Sequence, residues 1–161
     1  MEQLLLAVFG WLEALGIVDW ARGSASVYPW ANVLHVLGVV LLVGGIGVVD
    51  LRVLGCWREL PLLALSRALT PIAVAGLVLQ AGSGLVLFAA DGVALAASDT
   101  FALKLQLLGL ALINAAAFRL HWQRKAVGTG HAPSALERSS ALVSLLLWLA
   151  IATVGRLIAY Y

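Results

Sequence analysis

His35, Lys104 and Arg156 are the residues whose types and placement could do chemistry. The first is an imidazole able to carry a proton or ligate a metal; the others are cations able to hold an anion. Each lies about one helical turn inside a different long apolar segment, toward the same membrane face. An ionisable group inside a bilayer costs about 2.5 to 3.5 kcal/mol even on the lenient insertion scale, so three at one depth predict a shared site.

The elements that must position them are transmembrane helices. The chain has 161 residues, 63% hydrophobic and 11% charged, and its mean hydropathy of +1.03 excludes an ordinary soluble domain. A span needs about 20 apolar residues, and four stretches qualify: 31–54, 62–89, 101–122 and 142–160. They predict an all-α polytopic membrane protein, a four-helix up-down bundle forming one domain over 1–161. Pro61 and Arg67 place the first turns of the second span at the interface, with a kink expected at Pro71. Residues 1–22 read as an interfacial amphipathic helix, with Leu5, Phe9, Leu12 and Leu15 at helical spacing and Trp11 and Trp20 suited to the headgroups. A cleaved signal peptide is the rival reading, but Met1-Glu2 supplies no basic n-region and Glu13 interrupts the apolar run.

Arg52, Arg58 and Arg67 fall in the first connection, and Arg119, Arg124, Lys125 and Arg138 around the third. The second, 90–100, has Asp91 and Asp99 and no basic residue. The positive-inside rule therefore places the first and third connections in the cytoplasm and both termini outside. At about 1.5 Å per residue, His35, Lys104 and Arg156 each lie roughly 6 Å inside the outer boundary, and His121 and His131 some 25 Å away at the other. Neither can complete a site at His35 within one chain.

Helical spacing gives each span a face. His35, Gly38, Leu42, Gly45 and Val49 align on the first; Ala73, Gly76, Gln80 and Ser83 on the second; Lys104, Leu107, Ala111, Asn114, Phe118 and His121 on the third. Plainer readings stand beside the site. Lys104 and Arg156 are close enough to their helix ends to snorkel, and His35 could be a core histidine bonded to a backbone carbonyl or to Ser83. The glycines, including Gly44, Gly45 and Gly47, also suit helix packing. Asp50 and Arg52 read as a local pair or cap, Pro133-Ser134 as the opening of the last helix, and 126–133 as a short linker.

The run Trp30-Ala-Asn-Val-Leu-His35-Val-Leu-Gly, then Asp50-Leu-Arg52-Val-Leu-Gly55, resembles an uncharacterised family of bacterial four-helix membrane proteins. Leu69-Thr-Pro71, Gly84-Leu-Val-Leu-Phe88 and Phe101-Ala-Leu-Lys104-Leu-Gln-Leu-Leu extend the resemblance over about three quarters of the chain. More distantly, the early helix histidine before a Gly-rich stretch and the later Lys-Leu-x-Leu-Leu are similar to copper-resistance-D proteins and HemJ-type protoporphyrinogen oxidases. The HemJ likeness implies b-type haem on His35 and a functional role for Lys104. Where that type carries Leu-Pro-Arg, this chain has Asp50-Leu-Arg52. Copper passage is disfavoured, since the chain offers one methionine, one cysteine and three scattered histidines as soft or imidazole ligands.

A b-haem between helices needs an imidazole for iron, a flat apolar slot and cations for the propionates. His35 would supply the first, the surfaces of Gly38, Gly45, Gly76 and Gly84 the second, and Lys104 and Arg156 the third. The sequence therefore supports a haem protein of the bacterial inner membrane, exchanging electrons with a quinone or a periplasmic partner. A homodimer would be needed for bis-histidine ligation. Two alternatives remain open: a non-catalytic scaffold or accessory subunit whose cations bind lipid or a partner helix, and a small-anion or proton carrier using Lys104 and Arg156. No phosphate loop, HExxH, CxxC or Ser-His-Asp set is present. Net charge of +2 gives no nucleic-acid footprint, and Cys56 alone builds neither a disulfide nor a thiolate metal site.

Overall fold

The computed structural model describes residues 1–125, 133–158 and 160, with the backbone alone for 121–125. The described elements are helices: α1 (Glu2–Ala14), α2 (Ile17–Gly23), α3 (Val27–Leu54), α4 (Leu62–Ala96), α5 (Asp99–Lys125) and α6 (Ala135–Leu157). The last four are each long and apolar enough to cross a bilayer, giving the all-α polytopic bundle that the sequence predicts. Val36, Val40, Val78, Ile113, Leu146 and Leu149 are exposed on its outside, where lipid is the solvent that accepts them. The chain is a multi-pass membrane protein.

The spans run up and down, with α3 packed on α4 and α6, and α6 on α5. Their core is Leu42, Ala73, Ala111, Trp148 and Ile151. The bundle has a His35 end, formed by the start of α3 and the close of α4, and an Asp50 end, where α3 finishes. At the latter, Gly55 adopts φ +114° and its amide closes on the Leu51 and Arg52 carbonyls. A left-handed glycine of this kind is a common helix stop. Arg52 then pins the following turn, donating to the carbonyls of Leu60 at 2.8 Å and Arg58 at 3.0 Å. Arg52 thus acts as a cap, and the expected pair with Asp50 does not form.

Two sequence expectations are revised. The kink in the second span falls at Asp91 (φ −122°, ψ 21°), close to the expected span end at Ala89, with the helix resuming as far as Ala96, while the backbone at Pro71 stays helical. The apolar stripe of the N-terminal helix does not face lipid. Leu5, Phe9 and Leu12 are buried with Val18 and Ala21 against Phe88, Ala89, Ala90 and Ala96, while Leu4, Trp11 and Leu15 are exposed. Phe9 seats on Gly92, where a β-carbon would collide with its ring, and meets Phe88 edge-on. Arg22 locks α2 to the same place through the Ala90 carbonyl at 2.8 Å. α1 and α2 meet at 80°, with Gly16 in the left-handed region at the corner (φ +71°).

The last helix opens where the sequence places it but begins earlier than 142. Ser134 accepts from the Glu137 amide and the Glu137 carboxylate accepts from the Ser134 amide at 2.6 Å, a reciprocal capping box. The linker expected over 126–133 lies almost wholly outside the described residues, as do His131 and the side chain of His121.

Candidate functional site at the His35 end

The contact between α3 and α4 sets the geometry. A β-carbon on Gly38 would lie 2.7 Å from Gln80 Cγ and 2.9 Å from the Gly76 carbonyl oxygen; one on Gly76 would lie 2.5 Å from the Leu42 nitrogen. One on Gly45 would meet Ala73 Cβ and the Leu69 carbonyl oxygen, each at 3.2 Å. These glycines therefore let two backbones touch, the usual route to helix association in lipid. The slot expected along Gly38, Gly45 and Gly76 is filled by the facing helix.

That close approach brings Ser83 of α4 to His35 of α3, with His35 Nδ1 and Ser83 Oγ 3.1 Å apart. Ser83 spends its own proton on the Leu79 carbonyl at 2.6 Å, so its oxygen accepts from Nδ1–H. The Gln80 carbonyl lies 3.3 Å from that hydroxyl as a second acceptor for it. The bonding fixes the tautomer with the proton on Nδ1 and the lone pair on Nε2. Lys104 Nζ of α5 reaches that lone pair at 3.5 Å. Gly84 gives the ring clearance, since a β-carbon there would sit 3.3 Å from His35 Cε1.

Lys104 is half-buried and crosses α6 at Gly155, where a β-carbon would lie 3.4 Å from both its Cε and Nζ. Gly155 is a site residue that the sequence reading missed; the signal was its place one residue before Arg156 in the last turn of an apolar helix. Arg156 itself does not join the site. Successive helix positions are about 100° apart, so with Gly155 facing Lys104 the arginine projects sideways. It is exposed, donates to Tyr160 Oη at 2.8 Å and stacks 5.0 Å over that ring. Of the three residues, only His35 and Lys104 meet.

Among the described residues no three His, Cys, Asp or Glu side chains converge as a metal cluster. A metal at His35 would therefore need its other ligands from elsewhere. No protein family, curated protein or solved structure matches the chain.

Proposed function

We propose that the chain is a small haem-b protein of the bacterial inner membrane, with His35 as iron ligand and a role in electron transfer. The observation that carries this reading is the fixed tautomer. Imidazoles that hold a metal commonly donate their other ring N–H to an orienting partner, and Ser83 does this for His35 while its hydroxyl is held on Leu79. A lone imidazole without companion protein ligands suits a metal that arrives with a macrocycle. The resemblance to HemJ-type proteins through His35 and the Lys104 motif points the same way.

The donors fit that group, an imidazole for iron and one cation for a propionate, whereas the flat slot between α3 and α4 is closed by the helix contact and the ring would need the two helices or the Lys104 side chain to give way. Nε2 is already presented, and Lys104 must release it, which a flexible four-carbon stem can do while keeping its charge near for a propionate. Gly84 and Gly155 lie beside the two side chains, whereas Gly38, Gly45 and Gly76 serve the helix contact. When bound, haem supplies one-electron chemistry. This chain's part is to orient the imidazole, neutralise a carboxylate and keep both out of water. A second axial imidazole would come from a second copy, since the count along the sequence sets His121 and His131 toward the other membrane face. The positive-inside pattern supports a periplasmic side for the His35 end and both termini, which would face a quinone or a periplasmic redox partner.

A second reading has one observation in its favour: the Lys104 ammonium meets a neutral imidazole and, among the described residues, no acid, leaving it able to take a lipid headgroup or a small anion. The reduced-minus-oxidised visible spectrum of the purified protein, beside His35→Ala, decides. A b-type spectrum lost in the variant is expected. A chain that stays colourless after haem addition refutes the haem reading, and anion flux in liposomes then tests the other.

A further inference from the structure

The Asp50 end holds a second polar site that the haem reading does not use. Asp50 lies on α3, about four residues inside its end, and is 4% exposed. The Ser144 hydroxyl of α6 lies beside the carboxyl group, and Oδ2 is buried with no hydrogen-bond partner. One turn along the same face of α6, Trp148 Nε1 is also buried without a partner. Two other polar groups in this bundle are matched: Asn114 and Ser140 exchange two hydrogen bonds at 3.1 and 2.9 Å, and Ser83 is satisfied as described. The orphaned oxygen therefore marks a particular place.

The charges around it are engaged elsewhere or outside. On its own helix Arg52 is committed to the Arg58 and Leu60 carbonyls. On α4 Arg67 is exposed and Ser66 faces Thr70. On α6 Glu137 carries the Ser134 amide and Arg138 is exposed; α5 brings Asn114, bonded to Ser140. Among the described residues no cation supports an ionised Asp50, and an ionised carboxylate beside one hydroxyl is the costly form at this depth.

We propose that Asp50 and Ser144 form an intramembrane proton-binding site, in which Asp50 carries a proton on Oδ2 and Ser144 holds the other oxygen. The proton is exchanged with the membrane face at the Asp50 end, so the chain binds a proton as well as whatever the His35 end takes. The site is independent of haem.

Infrared spectroscopy of the full chain in liposomes tests it. A protonated-carboxyl stretch is expected at neutral pH, shifting in D2O, lost in D50N and moved in S144A; D50N, the neutral isostere, should unfold at the wild-type midpoint. If D50N fails to accumulate, labelling of the wild-type chain by a hydrophobic carbodiimide, which attacks protonated carboxyls, replaces it, with the adduct expected on Asp50 and fading at high pH. A carboxyl band unchanged in D50N overturns the proposal. So does the absence of an Asp50 adduct, or a sodium-dependent carboxylate band, which would make this a cation site.

Discussion

Gly76→Ala tests the frame on which the His35 site depends. The added methyl would lie 2.5 Å from the Leu42 nitrogen, 2.8 Å from the Gly38 carbonyl oxygen and 2.9 Å from Leu41 Cβ. Two of these are backbone atoms that cannot swing aside, so α3 and α4 must part by roughly an ångström to restore ordinary contact. Overpacking of this kind costs about 1 to 3 kcal/mol, and alanine returns up to about 1 kcal/mol of helix propensity. The net expectation is a loss of about 1 to 2 kcal/mol, or roughly a 5- to 30-fold fall in the folded-to-unfolded ratio. Gly82→Ala is the matched control: same helix, less than two turns away, and nothing within 4 Å of its β-carbon, so it should be neutral or slightly stabilising. Unfolding in mixed detergent micelles, followed by circular dichroism, compares the two. The separation would also carry Ser83 from 3.1 Å to beyond hydrogen-bond range of His35, so haem retention should fall in Gly76→Ala alone. Equal stability of the two variants would refute the reasoning.

Phe9→Ala removes the side chain that fastens α1 to α4, including its edge contact with Phe88 at 6.4 Å and the Arg22 stack at 5.6 Å. A loss of about 3 kcal/mol should expose the N-terminal segment to limited proteolysis while α3 to α6 stay protected; continued protection of α1 would show that lipid, and not α4, holds it. Arg156→Ala should leave haem content and spectrum unchanged, because its guanidinium is committed to Tyr160, whereas Lys104→Ala should alter both. Equal losses in the two variants would place Arg156 in the site after all.

The spans are legible in the sequence because twenty apolar residues have few other uses, and the opening of α6 is legible because Ser134 and Glu137 form a box of purely local chemistry. What escapes is azimuth. Depth along a helix follows from counting, and by that measure Arg156 belongs with Lys104; which way it points depends on Gly155 facing α5, a fact of packing. The stripe of Leu5, Phe9 and Leu12 has the same period whether lipid or protein receives it. Asp91 and Gly92 read as loop, and Asp91 does break α4, but the helix resumes beyond it to Ala96 with Phe9 seated on Gly92. The Asp50 and Arg52 pairing could have been rejected beforehand, since residues two apart on a helix do not face each other. The partner that Asp50 does find, Ser144, lies on another helix, and only the register between α3 and α6 reveals it.

Lys104 and Arg156 present the same ambiguity in sequence, a cation within a turn or so of a helix end that could either serve a site or snorkel, and the fold resolves them differently. Arg156 takes the surface course, exposed and stacked on the ring of Tyr160 just beyond the end of its own helix. Lys104 does not. Its stem crosses the α6 backbone at the one position there without a β-carbon and brings the ammonium to an imidazole lone pair on α3. A side chain needing only water at its tip has no use for that crossing. The histidine it meets is itself held from behind by a serine whose proton is already spent on Leu79, so the lone pair faces Lys104 by construction. Two successive constraints, drawn from four helices, aim one nitrogen at one cation. That arrangement accounts for Ser83, Gly84 and Gly155 together, which snorkelling leaves as three coincidences.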